Sequence, residues 1–439
     1  MDLDASAVSR WLEPLASGPS DIADIFVESR REATLLFQDG EIVEARSLAA
    51  VGLSARWKRG AEERLAFVSR ADEEGAREAV RALQAARGKS PLPHRPGRAF
   101  EPEQRETLGQ ERWGKRLSSF LARHAPRHSF RFLLSEATRQ VIPARAPASS
   151  STRRLLSLQG TFLAASRRGD ETRAFSFHAP DSASSPDELR GALAQAAEPR
   201  ERSAPCGEGD TDVVLAGGCA AILFHEILSH PLESQEPSPL LPLEQARLAV
   251  PDLDVRDDAT RLDLFGGYEN DDEGISPSPV KLLDSGRLAG RLTDRSRAAP
   301  AASNGHARRA GPADTPLVRG ANVIVAAGNA TPAEMAKRLH SGLWIDRFES
   351  GSIELASGRF RLRFPRARRV RRGRLADECG AGILAGEILT TLRSVEAVLG
   401  REVRPCRSFG WCSRRGQVVP VQGAAPEVLL RKVAFRSAP

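Results

Sequence analysis

Short β-type runs dominate the first part of the chain, and the strands they predict cover 22–27, 33–37, 42–45, 51–57 and 64–68. Asp39-Gly40, between the second and third runs, signals a hairpin because both residues tolerate positive φ. An amphipathic stretch at 5–15 precedes these strands, and a helical pattern at 71–86 follows them. Residues 88–106 hold four prolines and no apolar period, so they read as a linker or surface loop. Beyond it the pattern predicts a helix over 110–124, then strands over 130–142, 154–166 and 172–177. A helix over 185–197 opens Ser-Pro-Asp-Glu in the manner of a capped start.

A polar break at 198–212 divides the chain into an expected N-terminal α+β domain, 1–205, and a β-rich C-terminal domain, 206–439. The second part opens on a buried-type strand at 212–215, and Gly217-Gly218 turns it into a helix. Further on, Thr331-Pro332-Ala333-Glu334 combines a capping box with an N1 proline. Strands are expected over 344–348, 352–356 and 359–364, and a short helix over 384–398. Strands and helices come in blocks rather than in strict alternation, which predicts an α+β fold rather than a doubly wound sheet.

The helix after Gly218 carries the chemistry. In Phe224-His225-Glu226-Ile227-Leu228-Ser229-His230, two imidazoles and a carboxylate stand in an otherwise apolar run. Neutral imidazole is a good zinc ligand, and a carboxylate beside a metal-held water can take its proton. The familiar peptidase spacing is four residues, which puts both rings on one helical face. Here the spacing is five. Positions i and i+5 diverge by ~140° on a regular helix, too far to share an ion. A π-bulge would return i+5 to the same face, and so would a helix that ends at the second histidine. Because Pro231 pushes its predecessor out of the α region, His230 is expected to be the last, unwound residue. Two imidazoles and a carboxylate are costly to bury without partners, and a metal would satisfy all three. The third ligand would come from downstream. Cys379, Cys406 and Cys412 all qualify, and the prolines around Glu233 and Glu236 leave the aim of those carboxylates open.

Bulk properties narrow the setting. A chain of 439 residues with 41% hydrophobic content can build two or three cores. The acidic start Met1-Asp2-Leu3-Asp4 has no apolar h-region behind it, and the longest apolar run, 213–224, is too short to cross a bilayer. Five cysteines without framework spacing point to free thiols in a reducing, cytoplasmic setting. The net charge of +7 is carried mostly by arginine, clustered over 359–374. That cluster reads either as a solvated strand face or as a site for phosphate or an acidic peptide. No helix-turn-helix, aromatic stacking platform or zinc finger accompanies it, so nucleic acid is not the expected partner.

The order and spacing of several blocks resemble the TldD/PmbA family of zinc metallopeptidases, the "modulator of DNA gyrase" proteins. The N-terminal part matches in pattern only, at Ala23-Asp24-Ile25, Asp39-Gly40 and Val51-Gly52-Leu53-Ser54-Ala55-Arg56. The C-terminal part matches in motifs: His225-Glu226, His230, Leu232-Glu233, Asp271-Asp272-Glu273-Gly274 and Lys281-Leu282-Leu283-Asp284-Ser285-Gly286. Ser303-Asn304-Gly305, Arg319-Gly320-Ala321-Asn322, Cys412 and Gly416-Gln417-Val418-Val419-Pro420-Val421 follow in order. The resemblance implies the two-domain architecture of that family. It implies zinc held by His225, His230 and Cys412, with Glu226 as general base. It further implies an unfolded or short peptide as substrate, taken as an added strand, and dimerisation with itself or with a PmbA/TldE-like subunit. Asp272, Glu273, His306 and Arg319 are the candidates for contacting substrate.

The chain departs from the family pattern beside the metal ligands. Ser229 replaces a glycine, Pro231 a small residue and Ser413 another glycine, while Ser234-Gln235-Glu236-Pro237-Ser238-Pro239 replaces a glycine- and aspartate-rich run. The alternative expectation is therefore a catalytically impaired binding or scaffold subunit. A basic nucleic-acid or gyrase-associated regulator is the third.

Overall fold

Asp39 and Gly40 take positive φ, 49° and 93°, and join strands much longer than their apolar runs. The computed structural model describes residues 3–85, 110–125, 127–164, 170–181, 186–198, 204–233, 237–297, 302–401 and 403–438. The 88–106 segment, Ser185 and 234–236 lie outside them. β1 (Ile22–Gln38), β2 (Glu41–Arg59), β3 (Glu62–Val68), β4 (His128–Pro143), β5 (Ser149–Ala164) and β6 (Glu171–Pro180) form one antiparallel sheet in the order β3-β2-β1-β4-β5-β6. β1 and β2 each absorb two of the separately expected runs. The polar stretch Glu28-Ser29-Arg30-Arg31-Glu32 stays extended because both of its edges are paired, one with β2 and one with β4.

One face of this sheet packs on helices. α1 (Ala5–Leu12) starts where Asp4 accepts the backbone N–H groups of Ser6 and Ala7. With α2 (Glu73–Ala85) it buries Ile25, Val27 and Leu53. α3 (Gln110–His124) and α4 (Pro186–Ala197) cover Phe37, Phe130, Phe132 and Phe177 at the other end. At the α1 end the opposite face is buried as well, but with Asp24, Glu28 and Arg56. Those charges meet the second half of the chain, where Arg56 pairs with Glu273 at 2.6 Å and Arg139 with Asp272 at 2.8 Å.

The second half holds a nine-stranded mixed sheet. Its path runs Ser350–Glu354, Arg359–Phe364, Gly382–Glu387, Val428–Ser437, Glu208–Leu215, Ser341–Ile345, Ala367–Arg371 and Arg374–Cys379, and Val395–Val398 pairs beside it. A six-stranded sheet contains Val255–Asp257, Asn322–Val325 and Gln422–Ala425, and one hydrophobic core draws on both sheets. The fold is α+β, with strand predominating.

Several local expectations are corrected. The expected helix over 384–398 is a strand, a helix of six residues (Ile388–Arg393) and another strand. Gly386 sits in the first strand against Phe360, where the sheet overrides a helical period. The strands expected at 344–348 and 352–356 lie two or three residues earlier. The capping box at Thr331 is present. Cys206 and Cys379 are not free thiols. A parallel bridge between Ala204 and Cys379 brings them together, and they form a disulfide with a Cα–Cα distance of 4.8 Å. Arg359, Arg361 and Arg363 do form an exposed strand face. Glu387, Glu349, Asp346, Glu378 and Asp377 pair with much of the cluster, as a solvated face would.

Candidate metal centre

Val213-Val214-Leu215 is fully buried at the centre of the nine-stranded sheet, and Gly218 (φ 85°) turns the chain from it into the helix. A β-carbon at Gly218 would meet the carbonyls of Arg404 and Pro405 at 3.2 and 3.1 Å. Every residue from Ala220 to Glu233 is buried, including both histidines and both glutamates. Ala220–Phe224 is α-helical, and His225–Ser229 widens into a π-turn in which the His230 N–H donates to the His225 carbonyl. Of the two ways to reconcile a five-residue spacing, the π-turn is the one adopted. His230 is not unwound, contrary to expectation: it keeps helical angles (φ −58°, ψ −46°). The chain leaves the helix only at Glu233, after a 3₁₀ turn. A bond to the fifth residue back opens the turn that Pro231 would otherwise obstruct.

The π-turn sets the two imidazoles edge to face, with ring centroids 4.6 Å apart and planes 69° apart. A β-hairpin, Trp411–Arg414 with Gln417–Pro420, brings Cys412 to them. Its Sγ lies 3.3 Å from His230 Nε2, and one ligand atom from each of the three residues fits within 4.8 Å. Both ring nitrogens of His225 are buried without a hydrogen-bond partner. Buried polar atoms are ordinarily satisfied, so this orphaned imidazole beside a thiol and a second imidazole suits a thiophilic, imidazole-binding cation.

The surroundings hold the donors in place. His230 Nδ1 lies 3.3 Å from Glu233 Oε1, a contact that leaves Nε2 free for a ligand role. Glu233 is itself fixed by the Gly320 N–H at 3.1 Å and by Arg414. Arg319 donates to the Cys412 carbonyl at 2.9 Å. Ser229, at the back of the π-turn, donates to Asp257 at 3.1 Å, and Asp257 also accepts the N–H groups of Ala321 and Asn322. A side chain at Gly320 would collide with Ser229 Oγ, at 2.1 Å from its β-carbon. The Arg319-Gly320-Ala321-Asn322 block thus braces both the helix and the hairpin.

Burial pushes the His225 imidazole well down, and the His230 charge adds to the effect. For His230, burial acts downward but the Cys412 thiolate outweighs it, and the net shift is up. Burial acts upward on Cys412, yet the His230 charge and hydrogen bond bring its thiol below the usual range. The pair thus favours a thiolate, the form that binds metal. Burial raises the Glu226 carboxyl, opposed only in part by His230.

His225, Glu226, His230 and Cys412 line a cleft of about 730 Å³ between β5 and β6 on one side and the 347–355 and 408–414 segments on the other. Glu226 Oε1 stands 2.7 Å from where a β-carbon at Gly351 would lie. Among the described residues, the strand bearing Gly351, Ser350–Glu354, is an unpaired edge of its sheet, and it is mostly exposed.

The four substrate-contact candidates stand outside this cleft. Asp272 is bound by Arg139 and the Arg309 N–H at the junction with the first sheet, and Glu273 by Arg56 and the Arg295 N–H. His306 is fully buried 3.5 Å from Asp257, and Arg319 is buried behind the hairpin. Residue types in a turn gave no sign that these groups face inward. The sequence left the aim of Glu233 open, and it gave no signal at all for Arg414, which acts on Glu233 from across the fold.

Residues 208–437 match the family described as the PmbA/TldA metallopeptidase C-terminal domain. A protein from Methanothermobacter thermautotrophicus named as a metalloprotease is 28% identical over 236 residues, covering 52% of this chain and 51% of its own. A zinc metalloprotease TldD homolog from Saccharolobus solfataricus is 24% identical over 233 residues, covering 51% of each chain. The chain therefore spans about half the length of the curated relatives it matches. The crystal structure of TldE from Thermococcus kodakarensis superposes with a TM-score of 0.73 over 98% of this chain and 99% of that one, at 15% identity. That likeness concerns the fold.

Proposed function

The chain belongs to the PmbA/TldD metallopeptidase family, and from that premise we propose that it is a zinc-dependent peptidase acting on unfolded or short peptides. His225, His230 and Cys412 would hold the ion, which when bound would supply a Lewis acid for the scissile carbonyl and a water of lowered pKa. The observation that carries this reading is the His225 ring, buried with two unsatisfied nitrogens against His230 and Cys412. Glu226 takes the proton of the attacking water and returns it to the leaving amine. The free edge strand Ser350–Glu354 supports the choice of substrate. A peptide added there gains main-chain hydrogen bonds without strong sequence demands, and Gly351 places it beside Glu226.

A dimer, with itself or with a PmbA/TldE-like subunit, belongs to the same proposal, as does a cytoplasmic location, against which the Cys206–Cys379 disulfide stands. Among the described residues no helix is long and apolar enough to cross a membrane. The deciding measurement pairs metal analysis with cleavage of an unstructured peptide. Wild type should bind about one zinc and cleave. Glu226→Gln should keep the zinc and lose a factor of ~10²–10⁴ in turnover, and Cys412→Ala should lose zinc. Zinc-loaded wild type without turnover, alone or with a PmbA/TldE-like subunit, would favour a scaffold subunit instead.

A further inference from the structure

A second cavity, of about 380 Å³, lies at the junction between the first sheet and the second half of the chain. Trp411 forms part of its wall and part of the metal cleft's wall. Six arginines are among the residues that line this cavity, and they divide into two groups. Arg30, Arg139 and Arg154 are paired with Glu28, Asp272 and Glu136. Arg153, Arg308 and Arg309 form no ion pair with any carboxylate among the described residues.

Their contacts are to neutral groups. Arg153 donates to the Phe265 carbonyl. Arg308, buried over the Tyr268 ring at 5.0 Å, donates to the carbonyls of Gly320 and Pro420, both at 2.7 Å. Arg309 is 1% exposed and donates to Ser54 Oγ and to the carbonyls of Asp272 and Asp314, while its Nε has no partner. Burial, together with repulsion from Arg308 and Arg139, pushes the Arg153 guanidinium well down, and burial lowers Arg308 and Arg309. Of the four carboxylates on the wall, Asp272 attracts all three guanidiniums without forming an ion pair with any of them. Asp272 is bound to Arg139, Asp271 accepts three backbone N–H groups, Glu32 faces Ser135 and Arg30, and Glu269 is exposed. Arg308 and Arg309 are buried and Arg153 half-buried; guanidiniums so placed without a directly paired carboxylate are costly, and a bound anion removes the cost by bidentate hydrogen bonding.

We propose that this cavity is a binding site, separate from the metal cleft, for a small organic anion: a carboxylate or phosphate ester carrying a flat apolar body. Arg153, Arg308 and Arg309 take the anionic head. Tyr268, Trp411 and the half-exposed Val418 offer apolar surface for the rest. The site does not depend on the metal, so its test begins with full-length protein stripped of metal by the neutral chelator 1,10-phenanthroline and dialysed. Calorimetric titration with phenyl phosphate and with benzoate should show saturable binding of about one molecule per chain for at least one of them. The tighter of the two identifies the head group. Phenol, which lacks the charge, should not bind. Arg153→Met, at a half-buried position, should weaken binding at least tenfold, whereas Arg361→Met on the exposed strand should leave it unchanged. Absence of saturable binding by both anions, equal binding of phenol, or equal loss in the two variants would overturn the proposal.

Discussion

Two regions of this molecule bury charged and polar groups, and they do it in opposite ways. In one part of the junction with the first sheet, beside the arginine-lined cavity, Arg56, Asp24, Glu63, Glu273 and Arg295 answer one another, as do Arg139, Glu28 and Asp272. There, burial raises Asp24 and the nearby guanidiniums hold Glu273 below its usual range despite burial. At the metal centre, His225 is surrounded by Phe409 and apolar helix neighbours and has no partner for either nitrogen. A closed network is a structural device, whereas an open one waits for a ligand. Burial alone would not have told them apart; the pairing of opposite charges does, since even in the first network Asp24 Oδ1 has no hydrogen-bond partner.

Breaking the closed network should cost most. Glu273→Ala leaves the buried Arg56 Nη1 with only the more distant Asp24, while Nε keeps Glu63, and is expected to destabilise the protein by ~3 kcal/mol, measured by denaturant unfolding. At the open site the damage should fall on ligand affinity instead. Glu233→Gln weakens the hold on His230 Nδ1 and should reduce zinc affinity by ~10–100-fold in a competition titration, with little change in unfolding free energy of the metal-free protein.

The third test lies between the two regions. His178 is held down to about 3 by burial, with Nδ1 unpartnered among Phe265 and Trp411. Its unfolded form protonates near pH ~6.5, so this contribution is full above that pH and is lost as the pH falls toward 3. Relative to His178→Gln, wild type should lose up to ~1.4 kcal/mol per pH unit between 6 and 4, read from urea midpoints at each pH. The smallest effect is expected on the exposed arginine strand. Arg363→Ala, which removes a surface pair to Glu349 at 3.4 Å, should change stability by less than ~1 kcal/mol.

How much of this was legible depends on how local the signal was. The His225-Glu226 helix, its strand and its glycine turn were readable, because apolar periodicity and a short motif sit within twenty residues. The choice between a π-turn and a terminated helix was not, since packing decides it. From its residues alone Cys412 could not be told from Cys379 or Cys406; family resemblance singled it out. The structure then gives each cysteine a different place: Cys379 in the disulfide, Cys406 near Ser408, and Cys412 against His230. Strand β1 reads as two separate strands because residues 28–32 look like a loop until their pairing is known. The unpaired arginines come from positions 153, 308 and 309, which no window along the chain would have joined.

The widened turn at His225–Ser229 has an effect beyond aligning two rings. One surplus residue in a regular helix would rotate everything after it by ~100°. Here a single loosened loop takes up that rotation, so Glu233 still arrives beneath His230, where Gly320 and Arg414 can grip it. The irregularity is confined to five residues, and the supports around it remain in phase.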